Sequence, residues 1–167
     1  MIRIVVPYAG PRGKTRLGDP SGERSRAMLE AVLAAAGSVG PTWVVSPDPI
    51  AGANWIPDPG GGQGAAVEAA LHELGPGPVL IVNSDLPSVT ADDLRALRDA
   101  IPESGLAIAP ARDGTTNALG LSDTTLFAPL YGPGSAARFR AHAERAVDVE
   151  RAGLRDDVDT PADLATA

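Results

Sequence analysis

At 167 residues with 44% hydrophobic side chains, the chain falls within the size of one domain and has enough apolar material for a sizeable core. A net charge of −7 speaks against a broad nucleic-acid footprint. The absence of cysteine rules out disulfides, a thiolate nucleophile, iron–sulfur clusters and cysteine-ligated zinc, and leaves oxygen-ligated metals such as magnesium.

The chain starts directly at MIRIVVP, with no basic leader, and no stretch approaches a membrane span, so a cytoplasmic location without membrane contact is expected. The 19 glycines and 16 prolines fall between apolar runs and read as loops of an ordered domain. Lys14 is the sole lysine among the 14 basic residues, the rest being arginine. It is either an exposed loop charge or a lysine kept for a purpose.

In chain order, Ile2 to Val6 predict a strand ended by Pro7, followed by a glycine-containing loop from Tyr8 to Pro20. Ser21 can cap a helix from Gly22 to Ala36 whose Met28, Leu29, Val32 and Leu33 share one face, with Gly37 closing it. Strands follow at Thr42 to Ser46 and Asn54 to Ile56; PDPGGGQG then leads into a helix from Ala65 to Leu74. Val79 to Val82 is a buried strand, and Thr90 with Asp93 forms a capping box for a helix from Ala91 to Ala100. Leu106 to Ala109 is a further strand, ARDGTTNALGLS a loop and strand, and GPGSAARFRAHAERA a glycine-led helix to about Arg145. Val147 to Val149 is extended, and DVDTPADL gives a brief strand with Thr160 capping a terminal helix. This alternation predicts one α/β domain over residues 1–167, with a mostly parallel, doubly wound sheet, helices on both faces and ligands at the strands' carboxyl ends.

Three polar sets fall at those ends. GPRGKTRL offers close backbone approach at Gly10 and Gly13 and positive charge at Lys14 and Arg16, as a phosphate cradle needs. It is not a Walker A loop, which needs four residues between its glycines where this chain has two. Asp85, in NSDLP after the buried strand, either brackets the turn at Leu86 and Pro87 or meets a cation. Asp157 and Asp159 share a face if extended, and a second carboxylate site suits a shared Mg²⁺ better than two unrelated turns.

Six segments in order, VVPYAGPRGKTRL, PDPGGGQGAA, NSDLPSVTADDLRAL, APARDGTTNAL, LYGPGSAARFRAHA and DVDTPADL, make nearly the whole chain resemble one family. It is that of the 2-phospho-L-lactate or phosphoenolpyruvate guanylyltransferases of coenzyme F-420 biosynthesis, with a Rossmann-like nucleotidyltransferase fold in three α/β/α layers, related to the molybdopterin guanylyltransferases. The resemblance implies GTP as co-substrate, a small phosphorylated acid as acceptor, Mg²⁺, and release of pyrophosphate. It places Lys14, Arg16 and Asp85 in catalysis, Asp85, Asp157 and Asp159 on the metal, and Gly13, Lys14, Gly61, Gly62 and Gln63 on the nucleotide. Thr116, with Thr115 as the second choice, Gly132 and Ser135 would hold the acid, through backbone amides and the serine hydroxyl at a helix start. By itself GPGS reads first as a helix entry capped by Ser135.

The chain departs from the family's pattern where many members carry a further lysine, having Tyr8 and Ala9 there, and where Leu-Asn is common, having Gln63 and Gly64. His72 and His142 stand alone in predicted helices and read as surface residues. Trp43, Trp55, Phe127 and Phe139 are scattered rather than set out as a base-stacking platform, which suits packing and would permit a homodimer. Two other functions stay open: a nucleotidyltransferase with another acceptor or base, of molybdopterin or sugar type, and a non-catalytic nucleotide-binding protein.

Overall fold

A computed structural model describes residues 1–10 and 22–158. The strands are β1 (Arg3–Pro7), β2 (Thr42–Ser46), β3 (Asn54–Pro57), β4 (Val79–Val82), β5 (Leu106–Pro110), β6 (Thr116–Leu121) and β7 (Ala146–Asp148). The helices are α1 (Glu23–Gly37), α2 (Gln63–Leu74), α3 (Ala91–Asp99), α4 (Ser135–His142) and the single turn α5 (Ala152–Arg155). The strands form one sheet in the order β3-β2-β1-β4-β6-β5-β7. Every pairing is parallel except the two made by β6, which is antiparallel to both β4 and β5. This is the mostly parallel α/β sheet that the alternating elements predict.

Side chains alternate across a strand, so each central strand feeds two cores. Ile4 and Val6 of β1 with Leu80 and Val82 of β4 face Leu29 and Val32 of α1, Leu94 and Leu97 of α3, and Leu154 of α5. Val5, Val79 and Ile81 face Val67, Ala70 and Leu71 of α2 and Phe139 of α4. Because both faces are covered, β4 and residues Ile4 to Pro7 of β1 read as unbroken apolar runs rather than as alternating ones. Leu80 is fully buried in the first of these cores. Its replacement by alanine leaves a cavity expected to cost about 2–5 kcal/mol and to lower Tm by on the order of 10 °C in a thermal melt.

Several boundaries depart from the sequence expectation. α1 is preceded by Gly22 in the left-handed region (φ 74°); the expected cap, Ser21, lies outside the described residues. α2 begins at Gln63 rather than Ala65, because Gly62 already occupies the cap position and its carbonyl accepts from the Ala66 N–H. α4 ends at His142, short of Arg145: the Arg145 carbonyl accepts from the Leu106 N–H and draws the chain into β7 beside β5. A Cβ on Gly105 would lie 2.2 Å from that carbonyl, so this close approach requires glycine.

The largest correction concerns the carboxyl end. Asp157 and Val158 form no strand; they follow α5, a helical turn that the sequence reading had not foreseen. The Asn117 side-chain amide donates to the carbonyls of Leu154 (2.8 Å) and Arg155 (3.1 Å), which otherwise end α5 without partners. The Val158 N–H then donates to the Asp85 carbonyl at 3.1 Å. The expected helix after Thr160 lies outside the described residues.

Candidate active site

The strand order reverses direction between β1 and β4, and a doubly wound sheet opens a crevice beyond the carboxyl ends at such a point. A cleft of about 450 Å³ lies there. Its walls come from Pro7 to Gly10 after β1, Gly62 and Gln63 at the start of α2, Asn83 to Asp85 after β4, Thr115 and Thr116 entering β6, and Gly132 and Ser135 before and within α4, with Asp157 after α5. Since β6 runs antiparallel, its first residue, not its last, reaches the same edge.

Most of the expected site residues are thereby brought together. Asp85, Asp157, Gly62, Gln63, Thr115, Thr116, Gly132 and Ser135 share the cleft, whereas Gly61 is exposed and does not form part of its wall. Gly13, Lys14, Arg16 and Asp159 lie outside the described residues. His72 and His142 are exposed on α2 and α4, away from the cleft wall.

Charge in the cleft is one-sided among the described residues. Among the described residues three carboxylates, Asp58, Asp85 and Asp157, line it and no lysine or arginine does. Asp85 is only 6% exposed. The neighbouring Asp156 is turned elsewhere: a hydrogen bond from Arg112 at 2.6 Å holds its carboxyl below its ordinary range. Asp157 is therefore the member of this acidic run that faces the cleft. Among the described residues no group of three or more His, Cys, Asp or Glu could by itself hold a metal ion. Magnesium, however, keeps several waters and commonly takes only one or two protein carboxylates with phosphate oxygens completing its shell. The hard oxygen donors of Asp85 and Asp157 fit that demand.

Other lining residues are polar and neutral. The Thr116 and Ser135 hydroxyls lie 2.9 Å apart, both residues being buried. Two hydroxyls carry two protons, and their mutual bond uses one, so the pair retains one hydrogen for an oxygen of a ligand. Thr115 differs: its backbone N–H and its hydroxyl both donate to the Asp113 carboxylate, at 3.0 and 2.6 Å. Of the two threonines, Thr116 is the one not turned to an aspartate.

The start of α4 narrows the groups that could meet an acid. Of the backbone amides at this helix start, those of Ser135 and Ala136 already donate to the carbonyls of Gly132 and Gly114. What α4 offers the cleft is therefore the Ser135 hydroxyl and the glycine loop before it. Gly132 (φ 114°) and Gly134 (φ 75°) shape that loop, and Arg138 secures it by donating to the carbonyls of Leu130, Tyr131 and Pro133. Burial pushes the Tyr131 phenol above its ordinary range, which keeps it a neutral hydrogen-bonding group on the cleft wall.

Three residues absent from the sequence reading hold the site together: Arg138 as just described, Asn117 beneath α5, and Asn83. The Asn83 amide donates to the Thr116 carbonyl at 3.1 Å and accepts from the Gln63 amide at 2.7 Å. Asn83 lies two residues before Asp85 in NSDLP and Asn117 adjoins Thr116 in TTNAL, and a polar residue set directly against an apolar strand run was the signal available for both. The Ser25 hydroxyl donates to the Tyr8 hydroxyl at 3.5 Å, and this neutral pair lines the cleft after β1.

Residues 22–151 match the model of the MobA-like NTP transferase domain. The chain belongs to this family. Within it, the chain is 40% identical over 149 residues to the phosphoenolpyruvate guanylyltransferase of Sphaerobacter thermophilus, covering 79% of this chain and 71% of that one. It is 31% identical over 179 residues to the 2-phospho-L-lactate guanylyltransferase of Methanopyrus kandleri, covering 99% and 90%. In fold, this MobA-like NTP transferase is similar to the 2-C-methyl-D-erythritol 4-phosphate cytidylyltransferase of Thermus thermophilus, with a TM-score of 0.71 at 21% identity over 98% of this chain and 95% of that one. A nucleotidyl transferase of a Methanothermobacter gives a TM-score of 0.70 at 18% identity, over 99% and 95%. At those identities the structural likeness speaks for the fold alone.

Proposed function

We propose that this nucleotidyltransferase moves a guanylyl group from GTP to phosphoenolpyruvate or 2-phospho-L-lactate, the step that the resemblance links to coenzyme F-420 biosynthesis. The observation that carries the reading is the cleft itself, which gathers buried and half-buried carboxylates, a buried hydroxyl pair and the glycine loop that leads into α4. Relatives bearing both guanylyltransferase names support it. Phosphoenolpyruvate is the acceptor to test first, since the relative at 40% identity carries that name.

In the reaction an acceptor phosphate oxygen attacks the α-phosphorus of GTP. The new phosphorus–oxygen bond forms a diphosphate link as the bond between the α-phosphorus and the bridging oxygen to the β-phosphate breaks, and pyrophosphate leaves with the electron pair. The attacking oxygen is already an anion, so no protein base is required. The obstacle is that both partners are anionic and the described cleft wall adds carboxylates of its own. Asp85 and Asp157, with Asp159 by resemblance, would hold Mg²⁺, which when bound neutralises phosphate charge and steadies the leaving oxygen. Lys14, Arg16 and Gly13, outside the described residues, would hold the triphosphate. Gly62 and Gln63 would lie against the nucleobase. Thr116, Ser135 and Gly132 would fix the acid so that its phosphate points towards the α-phosphorus.

The test is pyrophosphate release from GTP with Mg²⁺, in the presence of phosphoenolpyruvate, 2-phospho-L-lactate or no acceptor, with ATP in parallel. Release that depends on one acceptor supports the reading, and silence with both acceptors despite GTP binding defeats it. Thr116→Val removes one hydroxyl from the buried pair. It is expected to raise the acceptor KM about tenfold, the worth of one hydrogen bond, while leaving the GTP KM near its original value.

A further inference from the structure

Tyr8 and Ser25 form a second hydroxyl pair in the cleft, separate from that of Thr116 and Ser135. Tyr8 is 4% exposed and Ser25 6%, and both line the cleft. The Tyr8 N–H donates to the Val45 carbonyl at 2.8 Å, which pins the backbone at the end of β1 and leaves the side chain as the group this residue offers. Its phenol meets Ser25, in the first turn of α1, at 3.5 Å, longer than an ordinary O–H···O bond. Among the described residues neither hydroxyl has another partner. The pair thus carries two hydrogens of which one is engaged, and that one loosely. Buried hydroxyls are ordinarily satisfied, so this arrangement suits an acceptor brought from outside. A single oxygen at about 2.7 Å from each hydroxyl, the usual bond length, spans the gap and takes both hydrogens.

The two hydroxyl pairs belong to different faces of the sheet. Tyr8 packs in the core with Leu29 and Val32 of α1 and Leu154 of α5, whereas Ala136 and Phe139, beside Ser135 on α4, pack with Val67 of α2 in the other core. In a displacement at phosphorus the attacking and leaving oxygens stand roughly in line across the reacting atom. With the acid on Thr116 and Ser135, pyrophosphate departs on the side away from it, towards the face of α1 and α5. We infer that Tyr8 and Ser25 together receive one oxygen of the departing pyrophosphate, each donating its hydroxyl hydrogen to it. The inference rests on the guanylyl-transfer reading and its placing of the acid. Ser25 turns its hydrogen from Tyr8 to the ligand, and the phenol gives the hydrogen that has no acceptor in the free protein. Negative charge grows on the leaving group as its bond to the α-phosphorus breaks, and fixed donors aimed at that charge favour the transition state. Both residues keep their protons, and pyrophosphate keeps its electron pair.

Inorganic pyrophosphate, titrated with Mg²⁺ into the full chain, probes this contact in the absence of GTP and acceptor. Tyr8→Phe keeps the ring in its core and removes only the hydroxyl, and Ser25→Ala removes the other. Each is expected to weaken pyrophosphate binding at least about tenfold, the worth of one hydrogen bond to a charged oxygen, and to lower kcat by a similar factor while the acceptor KM stays within about twofold. A thermal melt of each variant confirms folding, and should one misfold the other decides. Unchanged pyrophosphate affinity in a folded variant overturns the inference and leaves guanylyl transfer standing. A rise in acceptor KM as large as the loss for pyrophosphate overturns it too, since the pair would then face the acid or shape the cleft as a whole. The same holds for a wild type that turns over GTP yet binds no pyrophosphate. A wild type that turns over GTP with neither acceptor defeats the functional reading first.

Discussion

Asp85→Asn is expected to reduce pyrophosphate release by on the order of 10²–10³-fold in kcat, with a fold indistinguishable from the wild type by circular dichroism. The substitution keeps the shape of a side chain that is 6% exposed and removes its charge. The local backbone is left as it was, because the tie from the Val158 N–H is accepted by the Asp85 main-chain carbonyl. Any loss therefore reports the carboxylate and not the turn that carries it. If Asp85 only bracketed the Leu86–Pro87 turn, asparagine would serve equally and turnover would be unchanged. Raising the Mg²⁺ concentration adds a second readout: loss of a ligand to the ion shifts the metal dependence upward, whereas loss of a structural contact does not.

Gly153→Val should detach the segment that carries Asp157. A Cβ at this position would lie 2.1 Å from Asp93 Oδ2, 2.8 Å from the Ser88 carbonyl and 3.0 Å from Val89 Cα. None of these can yield cheaply. Asp93 Oδ2 accepts from the Thr90 N–H in the capping box of α3, while Oδ1 accepts from Arg151 at 2.9 Å. Thus α5 is seated on the cap of α3 on one side and on the Asn117 amide on the other. Valine forces either the cap or α5 to move, at an expected cost of about 1–3 kcal/mol for overpacking and more if the cap opens. Because Asp157 leaves the cleft with α5, kcat should fall more than Tm alone would suggest. A variant that loses stability yet keeps full kcat at low temperature would show that the position of Asp157 does not matter to turnover.

Much of the architecture could be read from the sequence for a simple reason. Val79 to Val82 is short, apolar and bounded by turn residues, so only a strand buried on both faces suits it. Thr90 and Asp93 bond each other's backbone three residues apart, which is as local as structure becomes, and their capping box is formed as expected. Strand–loop–helix alternation then prescribes a parallel sheet and puts the loops carrying Gln63 and Asp85 at one edge. Thr116 and Ser135 could be nominated from motifs that resemble the family's.

The tertiary structure decided what depends on partners distant along the chain. That β6 runs antiparallel, and so brings its first residue to the cleft, follows from pairing with β4 and β5 and not from any feature of TTNALGL. α5 was hidden because four residues make no periodic signal; it exists because Asn117, more than 30 residues earlier, takes up its terminal carbonyls. Motif spacing does not show which amides at the start of α4 are taken; those of Ser135 and Ala136 donate to Gly132 and Gly114. The same holds for Asn83, whose two bonds reach 20 residues back and 33 forward. Periodicity and turn chemistry are local and are written in neighbouring residues; the direction of a buried amide is set by whichever carbonyl the folded chain places against it, and that is a property of the fold.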